Sequence, residues 1–395
     1  MTADRNPFRI SDLFPTDQPV PERMIGRSVE VGELAIALKE GLNQVMGGPR
    51  RDGKTTVCEA ALDMLGAGGT YTVEVDLFKL SGLSRLATAI VSGLVANRSR
   101  PHRAARRMVS AVEKAAGIVG AMATAKLKTA WGPDVEIAFD PRLAEDDPRG
   151  SFEKALLLLQ SVAAKDGQGV VLFVDEFQEL AGPKEIFGDP DQTTQLMRAI
   201  LQHSPGVTSL FAGSIAHLMR DLFDDEKRAF YKFGAWRSLR PIATEEWLEG
   251  FSERFEEGHH PITDAAGRSI VAQSEGHTRT TMLLAQQAFL AAVVAGDHAV
   301  TNEHAALAFE MAMKADALAL AKDIERLRDL SRHALPICRA IAQGRAPYKT
   351  GPSYLVGRTI ESLHRAGYIE QPDDGPRSPW VVIEPLLRRK LVELP

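Results

Sequence analysis

Gly48-Pro49-Arg50-Arg51-Asp52-Gly53-Lys54-Thr55 satisfies the pattern G-x-x-x-x-G-K-[ST] at every fixed position, and a short strand-like run at Gln44 to Met46 precedes it. A loop that wraps phosphates must turn successive backbone N–H groups inward, and glycines at its ends permit the backbone angles and the close approach this requires. In this reading Lys54 reaches the outer phosphate oxygens and Thr55 offers its hydroxyl to Mg²⁺. Thr56 and the helix that opens here present N–H donors and a positive dipole end. The pattern arises by accident in roughly one per cent of chains of this length. Its context argues against accident: Val57 to Leu65 is an amphipathic helical run, so strand, loop and helix follow in the order the chemistry needs. A nucleoside triphosphate is the ligand these residues point to.

Val170-Val171-Leu172-Phe173-Val174 is an apolar strand run ending in Asp175-Glu176. A carboxylate there suits the Mg²⁺ shell, and a second beside it suits the polarising of an attacking water. The alternative for an isolated acid pair is a solvated turn. A further strand, Thr208 to Ala212, exits into Gly213-Ser214. Ligands of open α/β sheets bind at the carboxyl edge, so Ser214 reads as a polar sensor of the phosphate or the water, or as the cap of the helix expected from Ile215. Much later, Gly276-His277-Thr278-Arg279 opens a helix running from Thr280 to Ala295. An arginine on that first turn suits phosphate contact, while a surface role is the plainer reading.

With the opening motif Met24-Ile25-Gly26-Arg27, Glu30 and Glu33-Leu34, and the run Asp175-Glu176-Phe177-Gln178-Glu179-Leu180, the chain resembles the ATPases of the AAA+ and STAND grouping. Within it the similarity is to the prokaryotic ATPase family common in archaea and also found in bacteria, and more distantly to origin-recognition initiator ATPases. The resemblance covers the chain from about Met24 onward. It implies an α/β P-loop fold with a parallel sheet of order 5-1-4-3-2, a helical lid, and ATP with Mg²⁺ as ligands. Ile25, Gly26 and Arg27 would pass near the adenine, and Gly48 to Thr56 would hold the phosphates. Thr55 and Asp175 would organise the metal, with Glu176 as catalytic base. Ser214 and Arg279 would fill the first and second sensor positions. Relatives often carry an arginine in an aromatic-Gly-Arg stretch. Here Ala229-Phe230-Tyr231-Lys232-Phe233-Gly234-Ala235-Trp236-Arg237 departs from that pattern, which leaves Arg237, then Arg228, as arginine-finger candidates or as members of structural ion pairs.

At 395 residues the chain exceeds what one core serves comfortably. Punctuation divides it into an extended proline-bearing arm over residues 1–22, a nucleotide-binding core over 23–243, a helical lid over 244–325 and a terminal module over 326–395. The expected strands are Gln44 to Met46, Tyr71 to Val75, Val170 to Val174, Thr208 to Ala212 and Ser238 to Ile242. The expected helices include Phe152 to Ala164, Thr193 to His203, a lid helix capped by Thr244, Asp264 to Ser274, and Asn302 to about Asp323 capped by Thr301.

The terminal module holds twelve Lys/Arg against seven Asp/Glu, whereas residues 1–325 hold thirty-five against forty-five. Its order of helix (Ser331 to Gln343), helix (Ser353 to Ala366) and short hairpin is the winged-helix plan. Arg345, Lys349, Arg358, Arg365 and Arg377 offer DNA phosphate contacts, and docking on a protein partner is the alternative. A basic segment from Asn97 to Lys128 carries eight Lys/Arg and one acid, which suits a nucleic acid, an acidic protein or an anionic surface, or a solvated arm.

Two widely separated cysteines, Cys58 and Cys338, argue against a disulfide framework or structural zinc and fit a reducing cytoplasm. His259-His260 reads as a solvated turn. Residues 1–7 lack the apolar region of a signal peptide, and no run of eighteen apolar residues occurs, so a soluble protein is expected. Two functional classes follow: an ATP hydrolase, or a slowly hydrolysing nucleotide-gated switch that recruits DNA or protein. A nucleotide-dependent homo-oligomer is compatible with either.

Overall fold

The structure is a computed structural model that describes residues 9–16, 18–48, 51–99, 144–182, 184–214, 216–371 and 378–394. These fold as two compact units. One is built from residues of 29–48 and 57–238, the other from residues of 1–28, 49–56 and 239–395, so the glycine-bounded loop after residue 48 clusters with the C-terminal half of the chain.

The first unit centres on a five-stranded parallel sheet of order β2-β3-β4-β1-β5. The strands are β1 (Gln44–Gly47), β2 (Tyr71–Asp76), β3 (Val170–Asp175), β4 (Val207–Gly213) and β5 (Ala235–Arg237). The order is the expected 5-1-4-3-2 read from the other edge. β1 and β4 are buried along their whole length, as is β3 up to Val174, which is why they read as near-continuous apolar runs. Helices Leu83–Ser99 and Pro148–Asp166 supply Leu86, Ile90, Leu94, Phe152, Leu156 and Leu159 to the core.

The fifth strand lies earlier than the expected Ser238 to Ile242. Ala235 donates its N–H to Asn43 and its strand pairs with β1, while Ile242 is buried in the second unit's core. Trp236 fixes this register. A Cβ on Gly47 would strike its ring, so the glycine ending β1 leaves the indole its place. Helices Pro148–Asp166 and Pro190–Leu201 begin at prolines, which suit a helix's first position because their missing N–H would be unpaired there anyway.

The second unit is mostly helical: Thr244–Glu257, Asp264–Ser274, Thr278–Ala295, Asn302–Ala315, Ala317–Leu330, Ala334–Ala342 and Ser353–Arg365. A two-stranded antiparallel hairpin follows, β6 (Ile369–Glu370) with β7 (Val381–Val382), and then a helix the sequence reading missed, Pro385–Glu393. Helix Thr244–Glu257 is capped differently from expectation. Ala243 is the N-cap, and its N–H donates to Glu246 Oε2 at 3.0 Å. The helix expected over Asn302 to Asp323 breaks at Asp316, which turns a carboxylate inward.

The arm expected to be extended carries a short helix, Ile10–Leu13. Leu13 and Phe14 are fully buried in the second unit's core, Phe14 lying 4.7 Å from Phe255 and 5.8 Å from Phe289 between ring centroids. Buried Arg254 ties this segment down by donating to the carbonyls of Leu13 and Arg23. Burial, then the charge of Arg23, pulls its guanidinium down to about 10.

Candidate functional site

The loop of interest leaves the sheet at the carboxyl end of β1. Gly48 and Gly53 have φ of 151° and 86°, conformations that strain any L side chain, and Arg51 between them is also left-handed at 64°. Pro49 and Arg50 lie outside the described residues. The chain then enters helix Lys54–Ala67, with Lys54, Thr55 and Thr56 on its first turn and Lys54 buried. Strand, glycine-bounded loop and helix therefore follow in the expected order.

Within the same unit as the loop, Arg27 is buried and donates to the Arg240 carbonyl, and its Nη2 stands 3.7 Å from Asp52 Oδ1. Thr278 donates to Asp52 Oδ1 at 3.3 Å. Burial raises the Asp52 carboxyl above its ordinary value, against the pull of Arg27 and Lys54. Gly26 has φ of 63° and is backed by Ile242 and Glu246, leaving no room for a side chain. Ile25 and Gly26 line a cavity of about 260 Å³ with Glu22, Glu246 and Glu253.

Arg279 is not exposed. It makes a two-pronged ion pair with Asp316, both contacts at 2.8 Å, and approaches Glu384 Oε1 at 3.4 Å. Arg51 meets the same Glu384 oxygen at 2.8 Å. Burial raises the Glu384 carboxyl against the pull of Arg51 and Arg279. Burial also pushes on Asp316, but the hydrogen bonds and charge of Arg279, with Arg51, bring that carboxyl below its ordinary value. The sequence reading found neither acid. Nothing in their local sequence distinguishes them, and Glu384 lies in a module whose net charge is basic.

In the first unit, Asp175 ends β3 opposite Asp76, the last residue of β2. Asp175 Oδ1 accepts the Glu176 N–H at 2.9 Å. Glu176 adopts left-handed φ/ψ of 50° and 41°, a conformation that persists in a non-glycine residue only where its surroundings hold it. Phe177 does so, fully buried with ring centroids 4.5 Å from Phe211, 5.3 Å from Phe230 and 5.5 Å from Phe223. Ser214, just beyond β4, donates to Glu176 Oε2 at 2.8 Å, and the next helix is Ala216–Phe223. Gln178 donates to the same oxygen.

The arginine-finger candidates are both engaged inside this unit. Arg237 donates to Gln44 Oε1 at 2.6 Å and pairs with Glu33 at 3.1 Å, and Arg228 pairs with Asp191 at 2.5 Å. Nearly all of the basic segment Asn97 to Lys128 lies outside the described residues, which retain only the end of helix Leu83–Ser99. Of the terminal module's basic residues, Arg365 pairs with Glu361, and Arg377 lies outside the described residues. Tyr348 and Tyr354 are exposed beside Lys349 and Arg358. Among the described residues, no helix is long and apolar enough to cross a membrane.

The sheet order, with a phosphate loop after β1 and acids ending β3, is the fold of the AAA+ P-loop ATPases, here in a form resembling origin-recognition proteins. No family model and no curated protein sequence matches the chain. Among solved structures, the Walker-type ATPase of Pyrococcus abyssi superposes with a TM-score of 0.70 at 16% identity, over 96% of this chain and 99% of that one. The ORC2 protein of Aeropyrum pernix, in its ADPNP–ADP complexes, gives 0.59 at 15% identity, over 96% and 95%. At this identity the likeness is one of fold.

Proposed function

We propose that the protein is a Mg²⁺-dependent ATPase whose nucleotide state is coupled to the C-terminal module. The observation that carries the reading is Glu176, held at the end of β3 by Ser214, in a chain that also presents the full phosphate loop. In this reading Lys54 and the loop amides hold the phosphates, and Ile25, Gly26 and Arg27 pass near the adenine. Glu176 orients water and takes its proton, and Ser214 keeps the carboxylate turned toward β4. Thr55 and Asp175, which the resemblance assigns to the metal, each offer the hard oxygen donor that Mg²⁺ takes, and would hold it together with substrate phosphates. When bound, Mg²⁺ offsets charge on the β- and γ-phosphate oxygens.

Coupling is supported by the contacts of Glu384 with Arg51 of the loop and Arg279 of the lid. Phosphates and Glu384 are alternative anions for the same two guanidiniums. Helix, helix, hairpin and helix suit a winged-helix module, and exposed Lys349 and Arg358 beside Tyr348 and Tyr354 suit DNA or a protein partner. Turnover of the wild type beside Glu176→Gln, with and without DNA, tests the hydrolase. Equal rates would end that reading.

A second reading, a slowly hydrolysing nucleotide-gated switch, is favoured by one feature: Arg279, Arg51 and Arg237 are all engaged with partners in the chain. Nucleotide-bound sizing separates the readings on whether a neighbouring copy supplies an arginine. A salt-titrated DNA-binding measurement tests the module, because phosphate neutralisation makes affinity fall steeply with ionic strength.

A further inference from the structure

We infer that Gln178 is a positioning residue for the base Glu176, an inference that rests on the ATPase reading above. Gln178 is the second residue of the 3₁₀ turn Phe177–Ala181 and is 3% exposed. Its amide nitrogen donates to Glu176 Oε2 and stands 3.5 Å from Ser214 Oγ, which itself donates to Glu176 Oε2 at 2.8 Å. Three side chains from two elements thus form a closed triangle around one carboxylate oxygen. The nitrogen end of the amide faces Glu176 Oε2, the N–H donating and the oxygen accepting.

The triangle is built rather than incidental. Phe177 and Leu180, on either side of Gln178, are buried in the sheet unit's core, and the turn is closed by Glu179 N–H donating to the Glu176 carbonyl at 2.9 Å. The amide also needs space that one residue provides. A Cβ on Gly213 would lie 2.5 Å from Gln178 Oε1, and would strike Met219 as well. The glycine that ends β4 therefore admits the glutamine, just before the serine that completes the triangle.

A glutamate side chain has three rotatable bonds, and orienting a reacting group in advance is a large part of what a catalytic site contributes. Gln178 and Ser214 both hold Oε2, which directs Oε1 to the water. As the water oxygen bonds to the γ-phosphorus, its O–H bond breaks and the proton passes to Oε1. The bond from the γ-phosphorus to the bridging oxygen breaks in turn, and its electron pair leaves with ADP. Gln178 touches neither water nor phosphate in this scheme and acts only through Glu176.

The test uses the full chain with Gln178→Ala, Gln178→Glu and Glu176→Gln, alone and combined, measuring kcat and KM for MgATP turnover and MgATP binding by calorimetry. Gln178→Ala should lower kcat about 10- to 100-fold while KM and the calorimetric Kd stay within about twofold. In the Glu176→Gln background it should cost nothing more, because both changes remove the same function. Gln178→Glu keeps the size and shape of the side chain and serves if the alanine variant fails to fold. It should also lower kcat about 10- to 100-fold with KM and Kd within about twofold, since a carboxylate has no N–H to donate to Glu176 Oε2. A structural role alone would not split kcat from KM in this way. A kcat within about twofold of wild type, a matching loss of MgATP affinity, or an undiminished loss in the Glu176→Gln background would overturn the inference. If wild type turns over no faster than Glu176→Gln, the ATPase reading itself falls. If Glu176→Gln is dead and the Gln178 variants are unimpaired, only Gln178's role falls.

Discussion

Arg51, in the glycine-bounded loop after β1, donates to Glu384 Oε1 at 2.8 Å, across 333 positions of sequence. Arg279 Nη1 stands 3.4 Å from the same oxygen. Two guanidiniums from different parts of the chain thus converge on one carboxylate, a concentration of positive charge suited to an anion.

Glu384→Gln should therefore raise affinity for MgATP, because it removes the negative charge that competes for Arg51 and Arg279. The pair is partly exposed, so the gain should be modest, roughly two- to tenfold by calorimetry. Unchanged or weaker binding would count against competition. The sign with pH is set by burial. The Glu384 carboxyl is raised when folded, so its contribution to stability is fully present below its ordinary value and is lost as pH rises through the folded value.

Lys54→Ala should weaken MgATP binding by about 10- to 100-fold, the loss expected for hydrogen bonds to charged groups. Because Lys54 is on the first turn of its helix, alanine should leave the fold intact. Undiminished binding with an unchanged melting curve would remove the basis of the nucleotide assignment.

Glu246 should contribute to acid unfolding. Hydrogen bonds from Arg240, at 2.6 and 2.7 Å, with the Ala243 N–H and the charges of Arg240 and Arg27, outweigh burial and hold its carboxyl down at about 2. A carboxyl depressed on folding adds stability above its unfolded value, and that stability is lost as pH falls through the folded one. The Tm of Glu246→Gln should thus converge with that of wild type between about pH 4.5 and pH 2. A constant gap across that range would show that the carboxylate's charge is not what matters.

Phe14→Ala should destabilise the second unit by about 3–5 kcal/mol, the cost of emptying a fully buried aromatic site. Denaturant unfolding measures this. A loss under about 1 kcal/mol would mean that the N-terminal segment is dispensable to that unit.

Some of this was legible because the physics is local. The turn after β1 is contiguous in sequence, and the glycines at its two ends, Gly48 and Gly53, announce the positive φ angles that the structure shows there. A strand buried on both faces announces itself as Val170 to Val174 does, and the acids that end it follow in sequence. Helix Thr244–Glu257 was legible in its acidic start, but its cap was not. Glu246 reaches back to the Ala243 N–H, and whether a side chain folds back cannot be read from the residue type.

By itself, then, the sequence determined the sheet topology through its resemblance and most of the individual helices and strands, because each of those elements depends on neighbours within a few positions. Tertiary structure decided the rest. Trp236 packs over Gly47 and sets the fifth strand at Ala235–Arg237, and Phe14 enters a core formed by residues far along the chain. It also decided the charge partners. Arg279 finds Asp316, Arg51 finds Glu384, and Glu176 finds Ser214 and Gln178, the choice in each case depending on which groups folding carries out of water together.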